Sequence, residues 1–275
     1  MKDILVYVDA SPRAGARIDL AVALARRFGA HLTGLHVVPP PFVPIIIEAP
    51  IPPEVVEDQI KLARDLASKA EATFRAALQR ADIQAEWRRV DGFPTEAALV
   101  HARYADLVVV GQTVPDEPGN PPVDFPDRLA LGAGGPVLVV PRAGSFADVG
   151  RRVVVAWNAS REAKRAVDDA LPLLTEAQQV SVLVVKPKTS ATGHGDVPGA
   201  DIALYLARQS VTAEVVQAYG EDATVADLLL SRVAELGADL MVMGAYGQPR
   251  LLELVMGGTT RAILSRMTVP VLIAH

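Results

Sequence analysis

The sequence predicts an α/β fold made of two tandem domains, each a five-stranded parallel sheet flanked by helices. Its 275 residues are enough for two ordinary domains, each able to bury its own core. Short β-branched runs alternate with longer amphipathic stretches, which is typical of βαβ units and of a parallel sheet covered on both faces. The same succession of motifs also occurs twice along the chain, which indicates a duplication.

Three pairs of matching segments carry the repeat. The first pair shares an apolar strand followed by Asp or Asn and then Ala-Ser. The second pair shares Ala-Asp-Leu at the start of an apolar strand, and the third pair shares Pro-Val-Leu. The pairs are 4–13 with 153–162, 104–112 with 237–245, and 134–141 with 268–275. This order predicts an N-terminal domain over 1–145 and a C-terminal domain over 151–275. Small and charged residues between them are typical of a linker.

In the first copy, β-branched runs predict strands at 3–9, 32–38, 85–90, 106–111 and 136–140. Amphipathic stretches between them predict helices at 13–28, 54–81 and 95–103. The continuous apolar run LVVV suits a central strand without a solvent face. The proline-rich stretch 39–53 cannot be a regular helix, and it covers either its own domain or a partner subunit.

In the second copy, the same reasoning predicts strands at 152–157, 180–186, 212–218, 239–243 and 269–274. Helices are predicted at 160–174, 198–209, 222–236 and 257–266. The run LMVM again suits a central strand. Each copy therefore supplies the strands and helices of one α/β domain.

The composition excludes several classes of function. A net charge of −5 and a pI near 5.6 give no general electrostatic reason to bind nucleic acid or an anionic membrane. The absence of cysteine excludes disulfides, zinc-thiolate sites and a cysteine nucleophile. The chain has no apolar run of the roughly 18 residues that a membrane helix needs, and its N-terminal apolar run is too short for a signal peptide. We therefore expect a cytoplasmic protein.

The stretch GAYGQPRLLELVMGGTT, residues 244–260, carries the strongest indication of a ligand. It follows a predicted strand, and in a parallel sheet ligands bind at the carboxyl ends of the strands. Gly244 and Gly247 permit close approach of a ligand to the backbone. At 257–260, two glycines and two threonines begin a helix whose free N–H groups suit a phosphate. The alternative is a glycine-rich turn in which a threonine merely caps the helix.

This pattern resembles the ATP-binding motif of the universal stress protein family: Gly-x2-Gly-x9-Gly, a small residue, and a closing Val-Pro-Val-Leu. The Asp or Asn with Ala-Ser, and the Ala-Asp-Leu, are also similar to that family. The resemblance spans the chain as two fused copies. It implies Rossmann-like domains of the adenine nucleotide alpha hydrolase-like type and a role in the stress response.

The resemblance also implies which residues of the C-terminal domain would bind ATP or AMP. Asn158 would lie near the ribose and adenine, with Val184 and Val185 flanking the base. The phosphates would be cradled by Gly244, Gly247, Gly257, Gly258, Thr259 and Thr260. Because Gly258 replaces the family's usual hydroxyl residue, Thr259 or Thr260 would supply the hydroxyl. Asn158 replaces the usual Asp, so any Mg²⁺ is expected to be held mainly by the phosphates.

The first copy retains Asp9 but lacks the phosphate loop, because no glycine follows Gly111 three places on. Its late glycines, 132–135, stand immediately before Pro136, which leaves no room for a helix like the one after Gly257. We therefore interpret its nucleotide site as degenerate and its role as structural.

The expected function is a stress-response protein in which a bound adenine nucleotide biases interaction with an unidentified protein partner. Two alternatives stay open: a nucleotide-independent interaction protein with a vestigial loop, and a slow ATPase or an enzyme acting on a phosphorylated small molecule. The enzyme alternative needs an acid or base, for which Glu253 and His194 are the candidates; no catalytic or metal-ligating residue is otherwise predicted. The two Pro-Val-Leu strands are expected to pair within the chain, and a homodimer is left open.

Overall fold

The computed structural model describes residues 1–42, 52–113, 119–186, 197–220, 222–245 and 258–275. These residues form two compact units, Met1–Leu129 and Ala130–His275. Each unit has a sheet of largely parallel strands flanked by helices, so the predicted fold class is confirmed. None of the helices in the described part of the chain is long and apolar enough to cross a membrane.

The first unit contains a four-stranded parallel sheet. Its strands are β1 (Asp3–Tyr7), β2 (His31–Val38), β3 (Glu86–Asp91) and β4 (Leu107–Gly111), in the order β3-β2-β1-β4. Its helices are α1 (Ala14–Phe28), α2 (Pro53–Ala81), α3 (Pro94–Ala102) and α4 (Phe125–Gly132), the last of which ends just beyond the unit. Strands β1 and β4 are almost entirely buried, as expected of central strands.

The second unit contains strands β5 (Val137–Val140), β6 (Arg152–Ala156), β7 (Gln179–Val185), β8 (Ala213–Ala218), β9 (Leu240–Gly244) and β10 (Val271–Ala274), in the order β5-β10-β9-β6-β7-β8. Its helices are α5 (Arg161–Leu174), α6 (Ala200–Arg208), α7 (Val225–Glu235) and α8 (Gly258–Arg266). Five of these strands are parallel, and β5 runs antiparallel to β10.

The antiparallel pair joins the two Pro-Val-Leu segments of the sequence. Val139 lies opposite Val271, and Leu138 lies opposite Leu272. All four side chains are buried. The pairing expected within the chain is therefore present, inside the second unit.

The main error of the sequence-based prediction concerns α4. The sequence predicted helices at 13–28, 54–81 and 95–103 in the first copy and none at 125–132, where α4 lies. Helix α4 ends at the first of the glycines at 132–135, and no helix lies between those glycines and Pro136. Pro126 is the second residue of α4, where its missing N–H has no helical partner to lose. The prolines around this segment are therefore compatible with a helix, which the sequence analysis missed.

The strand order of the second unit defines where a ligand crevice can form. Ala156 of β6 lies opposite Leu183 of β7 on one side and Met243 of β9 on the other. The chain proceeds from β6 toward β8 in one direction and from β9 toward β10 in the other. Because connections diverge between β6 and β9, the carboxyl edge at these two strands is the expected binding position.

Candidate functional site

The turn after β6 presents Asn158 at this edge. Its side chain is exposed, and its Oδ1 accepts a hydrogen bond from the Ser160 N–H at 3.1 Å. The Ser160 hydroxyl in turn accepts from the Ala163 N–H and caps α5. The amide therefore shapes the turn and still offers its second acceptor site and its NH₂ donors to solvent.

Two residues at neighbouring strand ends have left-handed backbone conformations without being glycine. Ala159, after β6, has φ 58°, and Lys186, after β7, has φ 46°. Lys186 is held there because its N–H donates to the Ala218 carbonyl at 2.9 Å and its Nζ donates to the Ala223 carbonyl at 2.8 Å. Such conformations cost about 1–3 kcal/mol each and cluster at functional sites. Backbone strain thus marks the edge at β6 and β7.

The two valines expected to flank a base differ in accessibility. Val184 is fully buried, and a Cβ added to Gly199, the N-cap of α6, would lie 3.3 Å from its Cγ2. Val185 is half-buried. Of the two valines, Val185 is therefore the accessible one.

Gly244 is explained first by packing. A Cβ at this position would lie 2.4 Å from the backbone nitrogen of Ala163 and 2.5 Å from the carbonyl carbon of Glu162. The first turn of α5 thus sits directly against the end of β9, and only glycine admits it. Just beyond, the Ala245 N–H donates to the Ala274 carbonyl at 2.8 Å, and its carbonyl lies 2.9 Å from His275 Nδ1.

The start of α8 is the most open part of the predicted phosphate loop. Gly258 is exposed, and no described atom lies within 4 Å of a Cβ added there. Thr259 is half-buried, whereas Thr260 is only 4% exposed. Of the two hydroxyls that the sequence left open, Thr259 is the accessible one. Gly247 and Gly257, together with Glu253 and His194, lie outside the described residues.

The other helices of the second unit begin with a carboxylate. The first turns of α5, α6 and α7 contain Glu162, Asp201 and Asp227, whereas that of α8 contains no acidic residue. Burial would raise the pKa of Glu162, but hydrogen bonds from its own N–H and from Arg161 and Ser160 lower it below its usual value. Among the described helices of this unit, only α8 leaves its positive end without a carboxylate of its own.

The corresponding edge of the first unit is filled by Arg17. Its Nη2 lies 2.8 Å from Asp9 Oδ2, and its Nε donates to the Tyr7 carbonyl at 2.9 Å. A Cβ on Gly111 would lie 2.0 Å from Arg17 Nη1. Arg17 and Asp9 are 3% and 5% exposed, so this is a buried ion pair at the position where a ligand would enter.

Sequence reasoning missed Arg17, although a signal was available. Arg17 shares the buried face of α1 with Ala14, Ile18 and Ala21. A charged residue in an apolar helical stripe is rarely buried unless it is paired. Asp9, eight residues earlier, was the available partner.

His36 completes the buried polar group of the first unit. It is 5% exposed, and its Nδ1 lies 2.7 Å from the Val8 carbonyl. Burial lowers the pKa of His36, outweighing this hydrogen bond and the nearby Asp9 carboxylate. Burial also raises the pKa of Tyr7, and Asp9 adds to that effect. Both side chains are therefore uncharged at neutral pH.

Comparison with known proteins decides the family. A model of the universal stress protein family matches residues 1–141 and again 150–275. The chain belongs to the universal stress protein family. Its tandem organisation as two family repeats agrees with the duplication seen in the sequence. No curated protein matches it significantly.

Solved structures that match along the whole chain share this fold. One from Archaeoglobus fulgidus DSM 4304 is 15% identical, with a TM-score of 0.69 over 99% of this chain and 96% of its own. A functionally unknown protein from Pseudomonas aeruginosa PAO1 is 16% identical, with a TM-score of 0.60 over 100% of this chain and 92% of its own. A universal stress protein in complex with cAMP is 24% identical, with a TM-score of 0.35 over 50% of this chain and 96% of its own.

The two repeats of this universal stress protein can be compared position by position. Tyr7 of β1 lies opposite Leu35, and its counterpart Ala156 of β6 lies opposite Leu183. By the same alignment, the polar residues Asp9, Arg17 and His36 of the first unit correspond to Asn158, Ala166 and Val184 of the second. Within the described residues, no group of three or more His, Asp or Glu side chains is arranged to hold a metal ion.

Proposed function

We propose that this universal stress protein binds ATP or AMP in its C-terminal domain, residues 151–275, and that occupancy biases its interaction with a protein partner in the cytoplasm during stress. The N-terminal domain, residues 1–145, has a structural role in this proposal. The observation that carries it is the open start of α8, the helix that follows β9 in the chain and has no carboxylate in its first turn.

The phosphate end of the site is argued from the helix start. The N–H groups of the first turn of α8, which have no partner within the helix, and the dipole of α8 favour an anion. Gly258 leaves space for close approach, and the Thr259 hydroxyl is accessible as a donor. We assign Gly244 mainly to packing against α5, and Gly247 and Gly257 to the phosphate loop on the family motif alone.

The nucleoside end of the site is argued from the strand ends. Asn158 is exposed beside the strained turn at Ala159, and Val185 reaches the same edge one strand away. Adjacent strands are about 4.8 Å apart, so Asn158 and Val185 are within reach of one nucleoside. Because Asn158 replaces the family's Asp and supplies no carboxylate, Mg²⁺ would be coordinated mainly by the phosphates of ATP.

Isothermal titration of nucleotide-stripped protein with ATP, AMP and cAMP, with and without Mg²⁺, tests this proposal. We expect saturation near one nucleotide per chain. The change Gly258→Glu places a carboxylate at the start of α8 and is expected to weaken binding at least tenfold, about 1.4 kcal/mol. The matched control Ser231→Glu adds the same charge on the exposed face of α7 and should leave affinity unchanged.

Absence of both heat and thermal stabilisation in the wild type would overturn the proposal in favour of a nucleotide-independent interaction protein. Binding that Gly258→Glu leaves intact would exclude the α8 start as the phosphate site. Release of phosphate from ATP, measured in the same samples, would instead support the slow ATPase.

A further inference from the structure

Helix α3 of the first unit carries an exposed apolar stripe. Phe93, Val100 and Tyr104 are 65%, 50% and 78% exposed, and the half-buried Ala97 lies between them in sequence. Ala97 and Val100 lie three residues apart on one face of α3. Phe93, its N-cap, and Tyr104, one residue past its C-cap, stand at the two ends of the helix, four residues from Ala97 and Val100 respectively. The opposite face, with Thr95, Ala98 and Ala102, is buried against the unit. A short helix that is apolar on both faces is typical of one covered by a partner.

The second unit provides an internal control for this stripe. Phe93 and Thr224 are the N-cap residues of α3 and α7, and Val100 and Ser231 each follow seven residues later. Tyr104 and Gly237 each precede Ala-Asp-Leu. The first two correspondences align the helix starts and the third aligns the strands that follow, because α7 is two residues longer than α3. At these positions the second unit is polar or has no side chain, so the fold itself does not require the apolar residues.

Phe93 also makes helix α3 less stable than a capping residue at the same position would. Thr224 closes a capping box with Asp227, whereas Phe93 makes no side-chain cap. Lacking an N-cap side chain costs about 0.5–2 kcal/mol. Helices α1, α2 and α6 also lack a side-chain cap, so it is the exposed aromatic ring of Phe93, more than the missing cap, that indicates a partner.

We propose that this α3 stripe is a homodimerisation surface that pairs antiparallel with the same stripe of a second copy. Such a pair, centred between Ala98 and Leu99, sets Phe93 against Tyr104 of the second copy. It also sets the small Ala97 against Val100 of the second copy, which permits close approach of the helices. A twofold interface must be self-complementary, and this order of side chains meets that condition.

The charges beside the stripe favour the same partner. Glu96 and the exposed Arg103 lie on the same flank of α3. In the antiparallel pair, Glu96 comes beside Arg103 of the second copy, and the contact occurs twice by symmetry. Glu96 also holds Arg128 at 2.9 Å, and a carboxylate can accept from both arginines. The opposed helix dipoles add to this complementarity.

The area predicts a weak dimer. An aromatic side chain buries about 150–250 Å², so each stripe supplies several hundred Å². The interface therefore falls near or below the roughly 1,200 Å² total that separates transient from standard interfaces. Association should be visible only as concentration rises.

Sedimentation velocity from low micromolar to near-millimolar protein tests this surface. We expect a concentration-dependent dimer for the wild type. The triple variant Phe93→Thr, Val100→Ser, Tyr104→Gly, which copies the second unit, should raise the dissociation constant at least tenfold. Circular dichroism should show an unchanged fold, because the three side chains are exposed and the Phe93→Thr change restores a capping hydroxyl to α3.

A single introduced cysteine gives a second test, since the chain has none of its own. Val100→Cys lies near the proposed twofold axis and should be linked into dimers by a short bis-maleimide, in a yield that rises with protein concentration. The matched control Ser231→Cys keeps the α3 stripe but lies away from it, on α7, and should not be cross-linked. A wild type that stays monomeric throughout, or a dimer that persists in the triple variant, would overturn the proposal.

Discussion

At the carboxyl end of β1, Arg17 lies over Gly111 and pairs with Asp9, whereas at the equivalent end of β6 the same positions hold Ala166 and Asn158. In the first unit a side chain of the protein fills the edge. In the second, the backbone of α5 packs against Gly244, and an uncharged polar turn is left facing solvent. The two repeats share a backbone fold, but a buried ion pair fills the carboxyl edge of the first, whereas Asn158 at the same edge of the second is exposed.

The N-termini of α4 in the first unit and α8 in the second also differ in charge. Asp127, 6% exposed, occupies the first turn of α4, whereas Gly258 and Thr259 open the first turn of α8. A carboxylate at a helix N-terminus already satisfies the dipole that would otherwise attract an external anion. In the first unit the carboxylate of Asp127 lies at the helix N-terminus, whereas in the second unit we expect the phosphate of a ligand to take that position.

Removing the Arg17 side chain should have the largest effect on the free energy of unfolding. Arg17→Ala leaves the Asp9 carboxylate buried without its cation, which should cost about 3–5 kcal/mol. Urea unfolding followed by circular dichroism measures the loss. The double variant Asp9→Asn, Arg17→Ala imports the residues of the second unit and should recover part of that free energy, because no unpaired charge remains. Equal losses in the two variants would show that packing, not charge, is what Arg17 contributes.

A smaller effect is expected at the end of β9. Gly244→Ala would force a Cβ to within 2.4 Å of the Ala163 nitrogen, and overpacking of this kind costs about 1–3 kcal/mol. Gly258→Ala, with no described atom within 4 Å of the added Cβ, is the matched control and should change the free energy of unfolding by less than about 0.5 kcal/mol. Thermal denaturation of both variants separates packing glycines from open ones.

The strained turn of the second unit offers a gain of stability. Ala159→Gly relieves a left-handed alanine and should stabilise the protein by about 0.5–1 kcal/mol, net of the flexibility that glycine adds. Ala10, its counterpart, is not among the described residues with positive φ, so Ala10→Gly should lower stability by about 0.5–1 kcal/mol. Opposite signs for the two substitutions in the same unfolding assay are the expected result.

The smallest effect concerns pH. Because burial lowers the pKa of His36 in the folded state, the unfolded chain binds a proton more readily. The stability contributed by neutral His36 is therefore complete above the ordinary histidine pKa of about 6.5, and it is lost as pH falls through the folded value. His36→Val imports the residue of the second unit and should flatten this acid-side decline in melting temperature. An unchanged pH profile would assign the decline to other groups.

The sequence predicted the strands well because their signals are local. The apolar runs at LVVV and LMVM became β4 and β9, and the start of α7 was misplaced only because its cap is Thr224 rather than a residue near 222. Helix α4 was missed because proline in a first turn looks the same in sequence as proline in a loop. The ion pair of Arg17 with Asp9 depends on where α1 lies relative to β1, which periodicity alone does not give.

Part of the candidate site was also predictable, because its signals are local in the sequence. The turn at Asn158 and the helix start at Gly258 and Thr259 follow from strand ends and glycine spacing. The burial of Val184 and Thr260 and the packing role of Gly244 depend on α5, α6 and the interior of the unit, so only the structure distinguishes them.

Hydrogen exchange measured by mass spectrometry, with and without saturating ATP, can decide which repeat binds the nucleotide. We expect slower exchange in peptides covering Asn158–Ser160 and the start of α8, and unchanged exchange around Asp9, Arg17 and His36. Protection of the first unit instead, or protection of neither, would contradict the assignment of ligand binding to the second repeat.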